Sequence, residues 1–326
     1  MLIGVQIINC LSIENLSING IPKVSFYTGL NDSGKNNLFK AIHALKLFVS
    51  RRTGTELGSY LPKFPNNGKG KFSLTFDMGS IGIVSWGVTF DYGNIEDCMV
   101  NRGLDYILDE EEVRIDNRLY LHKSNSPPSF YDPTLDPRMR ILMDKIYSIL
   151  AWHPEKTLEF GDMKRGSEEL KLLNIFFPSV VHVYNPFKAN MLIEFEDGMR
   201  KEEYEIGKGF YRILSLVRRV YTSRTTVYLS DKILCISPDY YYKLIQFFYQ
   251  CKKQLFIITQ DSALINYISD KHVKDCLFYI YRDKNNYTTC KRFFDIPNMA
   301  DKLTSMGPGE VLIDTDLEML NDELNR

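Results

Sequence analysis

The eight residues 29–36 (GLNDSGKN) constrain the fold more than any other part of the sequence. Their two glycines and lysine have the GxxxxGK spacing of loops that hold phosphate groups with backbone N–H groups. Such a loop follows a strand and opens a helix. Residues 23–28 (KVSFYT) are typical of a strand, and apolar residues recur at helical spacing from Asn37 onward. The order predicts a phosphate site in which Lys35 reaches the β- and γ-phosphates; the alternative is a tight glycine turn with an exposed lysine.

The predicted nucleotide contacts come from five residues in and after this loop. They are Asn31, Gly34, Lys35, Asn36 and Asn37. Phosphate loops usually end in serine or threonine, whose hydroxyl binds magnesium, whereas this one ends in Asn36. An amide oxygen can also ligate a hard cation, so the substitution weakens a metal role for Asn36 without removing it.

Charge and cysteine usage exclude several classes of protein. The formal net charge of the 326 residues is −1, which argues against a whole-molecule electrostatic nucleic-acid binder. The six cysteines form no CxxC or Cys/His pair and the five histidines show no ligand spacing, so neither a zinc site nor a disulfide framework is predicted. The sequence has no run of about 18 apolar residues. We expect a soluble, cytoplasmic protein without membrane contact.

The last third of the chain alternates between strand and helix patterns, which is typical of a parallel sheet covered by helices. Strands are predicted at 225–230 and 254–259, and helices at 210–221, 240–251 and 263–269. Earlier strands are predicted at 2–9, 73–78, 82–92, 179–184 and 191–196, with a helix at 138–152.

Several polar stretches are predicted to lie outside strands. The acidic run at 109–112 (DEEE) is typical of a solvated turn, with a metal site as the alternative. Residues 51–70 are predicted to be a loop, and 122–137, with four prolines, a surface loop or a break between lobes. Arg218, Arg219 and Arg224 fit a solvated helix face better than a nucleic-acid or partner surface.

Five segments together resemble the SMC-like, ABC-class ATPases of the RecF and OLD type. Residues 29–42 (GLNDSGKNNLFKAI) resemble the family's phosphate loop, and 9–13 (NCLSI) resemble the short turn that precedes it. Residues 206–214 (IGKGFYRIL) resemble its signature segment and 226–238 (TVYLSDKILCISP) its Walker B strand. Residues 254–265 (QLFIITQDSALI) resemble the strand that ends at a switch histidine. The middle, about 46–199, shows no such likeness.

The resemblance also shows where this chain departs from the family. The magnesium aspartate of Walker B aligns with Ser230, and the glutamate that polarises the attacking water aligns with Asp231. The switch histidine aligns with Gln260, the signature serine with Gly207, and the basic residue of the first turn with Leu11. Phosphoryl transfer depends on positioning and electrostatic stabilisation, and one lost preorganised group costs roughly 10²–10³ in rate. Hydrolysis is therefore expected to be several powers of ten slower than in the family.

Each aligned residue has a family role and a plainer interpretation. By resemblance, Asp231 and Gln260 are candidate catalytic residues, and Ser230 joins Asn36 as a candidate magnesium ligand. Asp231 could instead cap a strand end, and Gln260 could be an ordinary polar residue there. Gly207 and Gly209 are candidate nucleotide contacts of the signature segment, or they only shape the turn before a helix.

The resemblance implies an α/β fold: an ABC-ATPase-like (P-loop) head with a mixed sheet and an inserted middle α+β segment. Residues 1–50 and 200–300 would form the P-loop core. Residues 51–199 would form an insertion with a meander and a helical lobe. Residues 301–326 would be an acidic C-terminal tail, either helical or frayed.

The function implied by the resemblance is that of a degenerate SMC-like ATPase subunit. It would bind ATP or retain only the fold, with weak or no hydrolysis and a reduced need for Mg²⁺. It would act as a scaffold or sensor in a DNA-repair or anti-phage defence complex. The resemblance implies a homodimer, or a heterodimer with another ATPase head or an effector protein. DNA is a further partner that the resemblance allows.

Three other functions are compatible with the sequence. The first is an active ATPase in which Asn36, Asp231 and Gln260 do the usual work and drive an effector such as a nuclease. The second is an interaction module without nucleotide. The third, a metal-dependent nuclease, is disfavoured because the acidic residues show no convergent motif.

Overall fold

A computed structural model describes residues 1–49, 69–91, 108–126, 136–150, 161–185, 188, 190–223, 225–230, 234 and 236–326. Within these ranges the strands form three sheets and the helices cover the central one. Asp231 and Arg224, and most of the predicted loop at 51–70, lie outside the described residues.

The central sheet has five strands in the order β11-β12-β3-β13-β14. The strands are β3 (Val24–Thr28), β11 (Thr226–Leu229), β12 (Gln254–Ile258), β13 (Leu277–Arg282) and β14 (Thr288–Arg292). The first four strands in this order are parallel to their neighbours, and β14 is antiparallel to β13. Every residue of β3 and β12 is buried, as expected for parallel strands covered on both faces. The predicted parallel, covered sheet is confirmed.

Two antiparallel sheets accompany the central one, in the orders β2-β1-β4-β5-β6-β7 and β10-β9-β8. The six-stranded sheet contains β1 (Leu2–Cys10), β2 (Ile13–Asn19), β4 (Lys69–Asp77), β5 (Ile83–Asp91), β6 (Leu108–Ile115) and β7 (Arg118–Ser126). The three-stranded sheet contains β8 (Val180–Tyr184), β9 (Leu192–Phe195) and β10 (Arg200–Glu202).

Ten α-helices occur in the described part of the chain. They are α1 (Lys35–Val49), α2 (Pro137–Leu150), α3 (Glu168–Leu173), α4 (Lys208–Thr222), α5 (Tyr241–Gln250), α6 (Ser262–Ile265), α7 (Asp270–Cys276), α8 (Met299–Lys302), α9 (Pro308–Asp314) and α10 (Leu317–Leu324). The last two show that the acidic segment at the end of the sequence is helical rather than frayed.

Two hydrophobic cores lie on opposite faces of the central sheet, because successive side chains of a strand point to opposite faces. The helical core contains Phe26 together with buried side chains of α3 to α7. The sheet core contains Tyr27 together with buried side chains of α1, α2 and the six-stranded sheet. In the sheet core, Tyr27 stacks on Phe278 with ring centroids 5.1 Å apart and meets the edge of Phe39, also at 5.1 Å.

The acidic run at 109–112 is not a turn, and the prediction was wrong. It lies within β6, paired with β5 and β7, where alternate residues face the two sides of the sheet. Glu111 faces inward with 1% of its surface exposed, and its Oε1 accepts a hydrogen bond of 3.0 Å from Trp86 Nε1. The indole donor explains how a carboxylate is accommodated beside the sheet core.

The proline-rich segment is also shorter than predicted. Residues 122–126 belong to β7, and α2 begins at Pro137, so both ends of the predicted loop are regular structure. Residues 127–135 lie outside the described residues. Strand β7 therefore continues up to the residue before the first proline of the segment.

Arg218 does not lie on a solvated helix face, contrary to the prediction. It is buried in α4, and its Nη1 donates to Oε2 of Glu169, which is buried in α3. Its Nη2 donates to Gly161 O at 3.3 Å. The ion pair joins α3 to α4 inside the helical core.

Candidate phosphate-binding site

The loop between β3 and α1 has a backbone that ordinary residues rarely adopt. Gly29, Asp32 and Gly34 all have positive φ angles, of 151°, 61° and 94°. Glycine reaches this region without steric cost, and aspartate is among the few other residues that tolerate it. The two glycines of the motif are therefore where the backbone geometry requires them.

The β13–β14 hairpin packs directly against both glycines. A Cβ atom built on Gly29 would lie 2.1 Å from Ile280 O. A Cβ atom on Gly34 would lie 1.9 Å from Thr288 Oγ1. Any side chain at either position would collide with the hairpin, so the loop is shaped by the hairpin as well as by its own sequence.

Lys35 places its ammonium group inside the loop. Its Nζ donates to Gly29 O at 2.7 Å and to Leu30 O at 2.6 Å, and 9% of the residue is exposed. This excludes the alternative of a glycine turn with an exposed lysine. The positive charge lies beside the N-terminus of α1, where the N–H groups of Asn37 and Leu38 donate to Gly34 O at 2.8 and 3.3 Å.

The two asparagines after Lys35 face different neighbours. Asn36 Oδ1 accepts a hydrogen bond of 3.2 Å from the hydroxyl of Tyr228 on β11. Asn37 Nδ2 donates to Ser12 Oγ at 2.7 Å. Asn31 is exposed on the loop itself.

Ser12 and Thr288 pack against the loop. Neither residue was predicted from the sequence to belong to the site. Ser12 Oγ and Thr288 Oγ1 are 2.6 Å apart, and Thr288 N donates to Ser12 O at 2.7 Å. This pair backs Gly34 and holds the side chain of Asn37. A signal for Ser12 existed, since it lies in the turn at 9–13 that resembles the family's first turn; nothing in the sequence marked Thr288.

Gln260 reaches the loop from the adjacent strand. It follows β12, which is hydrogen-bonded to β3, and its Nε2 donates to Gly29 O at 2.7 Å. Ser230 follows β11, the next strand of the sheet, and is half-buried. Parallel strands end at one edge of a sheet, which is why the ends of β3, β11 and β12 share this edge.

Gly207 and Gly209 belong to a different layer. Gly207 is the N-cap of α4, whose buried side chains lie in the helical core, whereas α1 packs in the sheet core. Both glycines are exposed, and a Cβ atom at either would meet no atom within 4 Å. Neither glycine is required by backbone strain or by a close neighbour in this chain.

The described residues offer neither a metal-ligand cluster nor, at Cys10 and Cys276, a reactive thiol. Within them, no group of three or more His, Cys, Asp or Glu side chains is arranged to hold a metal ion. Burial raises the pKa of the Cys10 and Cys276 thiols to about 12, which keeps both protonated and unreactive at neutral pH.

Comparison with solved structures identifies the architecture. The chain matches the SMC head domain from Thermotoga maritima with a TM-score of 0.53 and 13% sequence identity, covering 89% of this chain and 98% of that one. The fold is that of an SMC head domain. A second SMC head, solved bound to the C-winged helix domain of ScpA, matches with a TM-score of 0.51 and 9% identity, covering 89% of this chain and 96% of that one.

The SMC-head fold is what these likenesses establish, and it agrees with the ABC-class fold expected from the resemblance. No protein-family model matches the sequence, and no curated protein matches it either. Among the described helices, none is long and apolar enough to cross a membrane.

Proposed function

We propose that this chain is an SMC-type head that binds ATP, hydrolyses it slowly or not at all, and acts as a scaffold or sensor. The observation that carries the proposal is the position of Lys35, whose ammonium group lies within the Gly29–Asn36 loop rather than in solvent. The proposal adds a ligand and a role to a fold that the SMC heads share.

The loop supplies two kinds of attraction for a polyphosphate. The first turn of α1 contributes the positive end of the helix dipole. Lys35 supplies a full charge and can exchange its bonds to Gly29 O and Leu30 O for bonds to phosphate oxygens. Together they fit the phosphates of ATP.

The fit to magnesium is weaker. Asn36 and Ser230 would be its protein ligands, and both are neutral. Mg²⁺ prefers carboxylates together with phosphate oxygens and water, and Asn36 Oδ1 already accepts a bond from Tyr228. We therefore expect ATP to bind with little dependence on magnesium, and hydrolysis to be slow because the transferring phosphate lacks its usual cation.

The partner proposed for this head is another ATPase head, from a second copy or a different chain, or an effector protein. The exposed N-terminus of α4 with Gly207 and Gly209 supports it, because their lack of side chains allows a close approach by another surface. By the family resemblance, the complex would serve DNA repair or defence against phage, with DNA as a further partner.

Replacing Lys35 by alanine is expected to weaken ATP binding by about 10- to 100-fold, since charge-assisted hydrogen bonds to phosphate are lost. Lys40→Ala is the matched control because Lys40 is an exposed lysine of the same helix. Isothermal titration of both variants with ATP measures the effect. Equal affinities for the two variants would contradict the proposal.

An active ATPase is the second candidate, and the contact of Gln260 with Gly29 O favours it because it places a polar side chain at the loop. Release of phosphate from ATP by the wild-type chain separates the two. The first proposal expects slow release of phosphate or none. Rapid release that is abolished by Lys35→Ala and slowed by Gln260→Ala would favour the second.

A further inference from the structure

Arg282 ties the phosphate loop to the β13–β14 hairpin. It is the last residue of β13, which runs parallel to β3 and ends at the same edge of the sheet. Its Nε donates to Asp32 O at 2.9 Å, and its Nη1 donates to Asn286 O at 2.9 Å. The guanidinium therefore connects the tip of the loop to the turn of the hairpin.

Asp32 is the residue of the loop that most needs such a support. Its φ of 61° lies in the left-handed region, where a non-glycine residue is destabilised and persists only when its surroundings hold it. Asp32 is exposed, so packing does not fix it. The bond from Arg282 to its carbonyl oxygen fixes the peptide that leads into Ser33 and Gly34.

The last helix, α10, fixes Arg282 in turn. Tyr279 OH donates to Asn321 Oδ1 at 2.7 Å and lies 3.2 Å from Leu317 O, which fastens the helix along β13. Asn325 Nδ2 donates to Arg282 O at 3.0 Å. The backbone of the residue that braces the loop is thus held by the end of α10.

The preceding helix, α9, packs against α6. Gly309 packs against α6 so closely that a Cβ atom there would lie 2.0 Å from Ser262 O, and its N–H donates to Asn266 Oδ1 at 2.9 Å. Helix α6 begins two residues after Gln260, which bonds Gly29 O. Residues 308–326 therefore contact α6, which follows Gln260 at the start of the loop, and Arg282, which binds the tip of the loop.

We propose that Arg282 is a positioning residue for the phosphate loop, and that docking of α10 through Asn325 sets the affinity of the loop for nucleotide. The proposal rests on the proposed function for its ligand, ATP. Arg282 acts through Asp32 O rather than through charge alone. A lysine in its place keeps the charge but cannot donate to two carbonyls in the fixed fork of a guanidinium.

Titration with ATP tests the effect on affinity. Arg282→Met, Arg282→Lys and Asn325→Ala are each expected to weaken ATP binding about three- to tenfold, the effect of one hydrogen bond. Arg292→Met is the matched control, because Arg292 lies on the same hairpin and donates to Asn19 O and Gly20 O, away from the loop. Wild-type affinity in Arg282→Lys would overturn positioning in favour of simple charge.

Hydrogen exchange without nucleotide tests whether the bonds made by Arg282 and Asn325 hold the loop in place. We call these bonds the brace, and this test does not depend on the proposed function. The amides of residues 29–36 are expected to exchange about three- to tenfold faster in Arg282→Met and Asn325→Ala than in the wild type, and unchanged in Arg292→Met. Unchanged exchange in the first two variants would overturn the brace, even if ATP binds. Faster exchange in a chain that binds no ATP would support the brace, and would overturn both its nucleotide role and the proposed function.

Discussion

Replacing Arg218 by methionine is expected to lower the free energy of unfolding by about 3–5 kcal/mol at neutral pH. Arg218 neutralises Glu169 inside the helical core, and both side chains are at least 92% buried, with 8% and 5% exposed. Methionine keeps much of the volume but leaves the carboxylate without its cation. Denaturant unfolding followed by circular dichroism measures the change.

The pH dependence of this variant gives a second check. Burial raises the pKa of the Glu169 carboxyl, and the hydrogen bond and charge of Arg218 oppose that rise. With the folded pKa above the unfolded one, the stability contributed by this group is present below the unfolded pKa and is lost as pH rises through the folded pKa. Without Arg218 the folded pKa rises further, so the variant's deficit is expected to be smaller at about pH 5 than at about pH 8.

Glu169→Gln in the Arg218→Met background is the matched control, since a neutral amide is easier to bury than an unpaired carboxylate. The double variant is expected to recover most of the lost free energy at neutral pH. A double variant as unstable as Arg218→Met alone would show that packing, rather than an unpaired charge, is responsible.

Gly34→Ala is expected to destabilise the chain by about 2–5 kcal/mol and to abolish ATP binding. A left-handed backbone costs a non-glycine residue about 1–2 kcal/mol, and overpacking adds about 1–3 kcal/mol. Here φ is 94° and the new Cβ would lie 1.9 Å from Thr288 Oγ1. Thr288 cannot easily retreat because it is buried and bonded to Ser12, so the loop must move.

Gly166→Ala is the control that separates the cost of a positive φ from the cost of the collision with Thr288. Its φ of 80° is also positive, but a Cβ atom there would meet no atom within 4 Å. It is expected to cost about 1–2 kcal/mol and to leave ATP binding unchanged. Thermal unfolding and ATP titration of both variants decide the matter. Equal losses for the two, or ATP binding by Gly34→Ala, would contradict the account of the loop.

The unit of β3, loop and α1 could be predicted from the sequence because its signals are local. A buried strand, two glycines at fixed spacing and a helical pattern occupy one stretch of chain, and the structure places Gly29, Gly34 and Lys35 accordingly. The resemblance to the family's switch histidine predicted Gln260 beside the loop, and the structure has it there because β12 and β3 are parallel and end at one edge of the sheet.

The support around the loop could not be predicted, because its contacts join residues far apart in sequence. Thr288 and Arg282 meet Gly34 and Asp32 only through the pairing of β13 with β3. Strands β13 and β14 were not predicted at all. A lone threonine or arginine carries no local signal of such a role.

Buried charge explains two of the wrong predictions. A run of four acidic residues and a cluster of arginines are both typical of solvated surface, as most such residues are exposed. Glu111 is buried by accepting the Trp86 donor, and Arg218 by pairing with Glu169. Trp86 and Glu169 lie on other strands or helices than the residues they bind. The composition of the segment alone therefore predicts an exposed side chain where the structure has a buried one.

A calorimetric titration of the wild-type chain with ATP and with adenosine tests the central claim most directly, because the two ligands differ only in the phosphates. The account predicts that ATP binds at one site per chain, with or without magnesium, and that adenosine shows no measurable binding. If adenosine bound as tightly as ATP, or neither bound, the Gly29–Asn36 loop would not be a phosphate site.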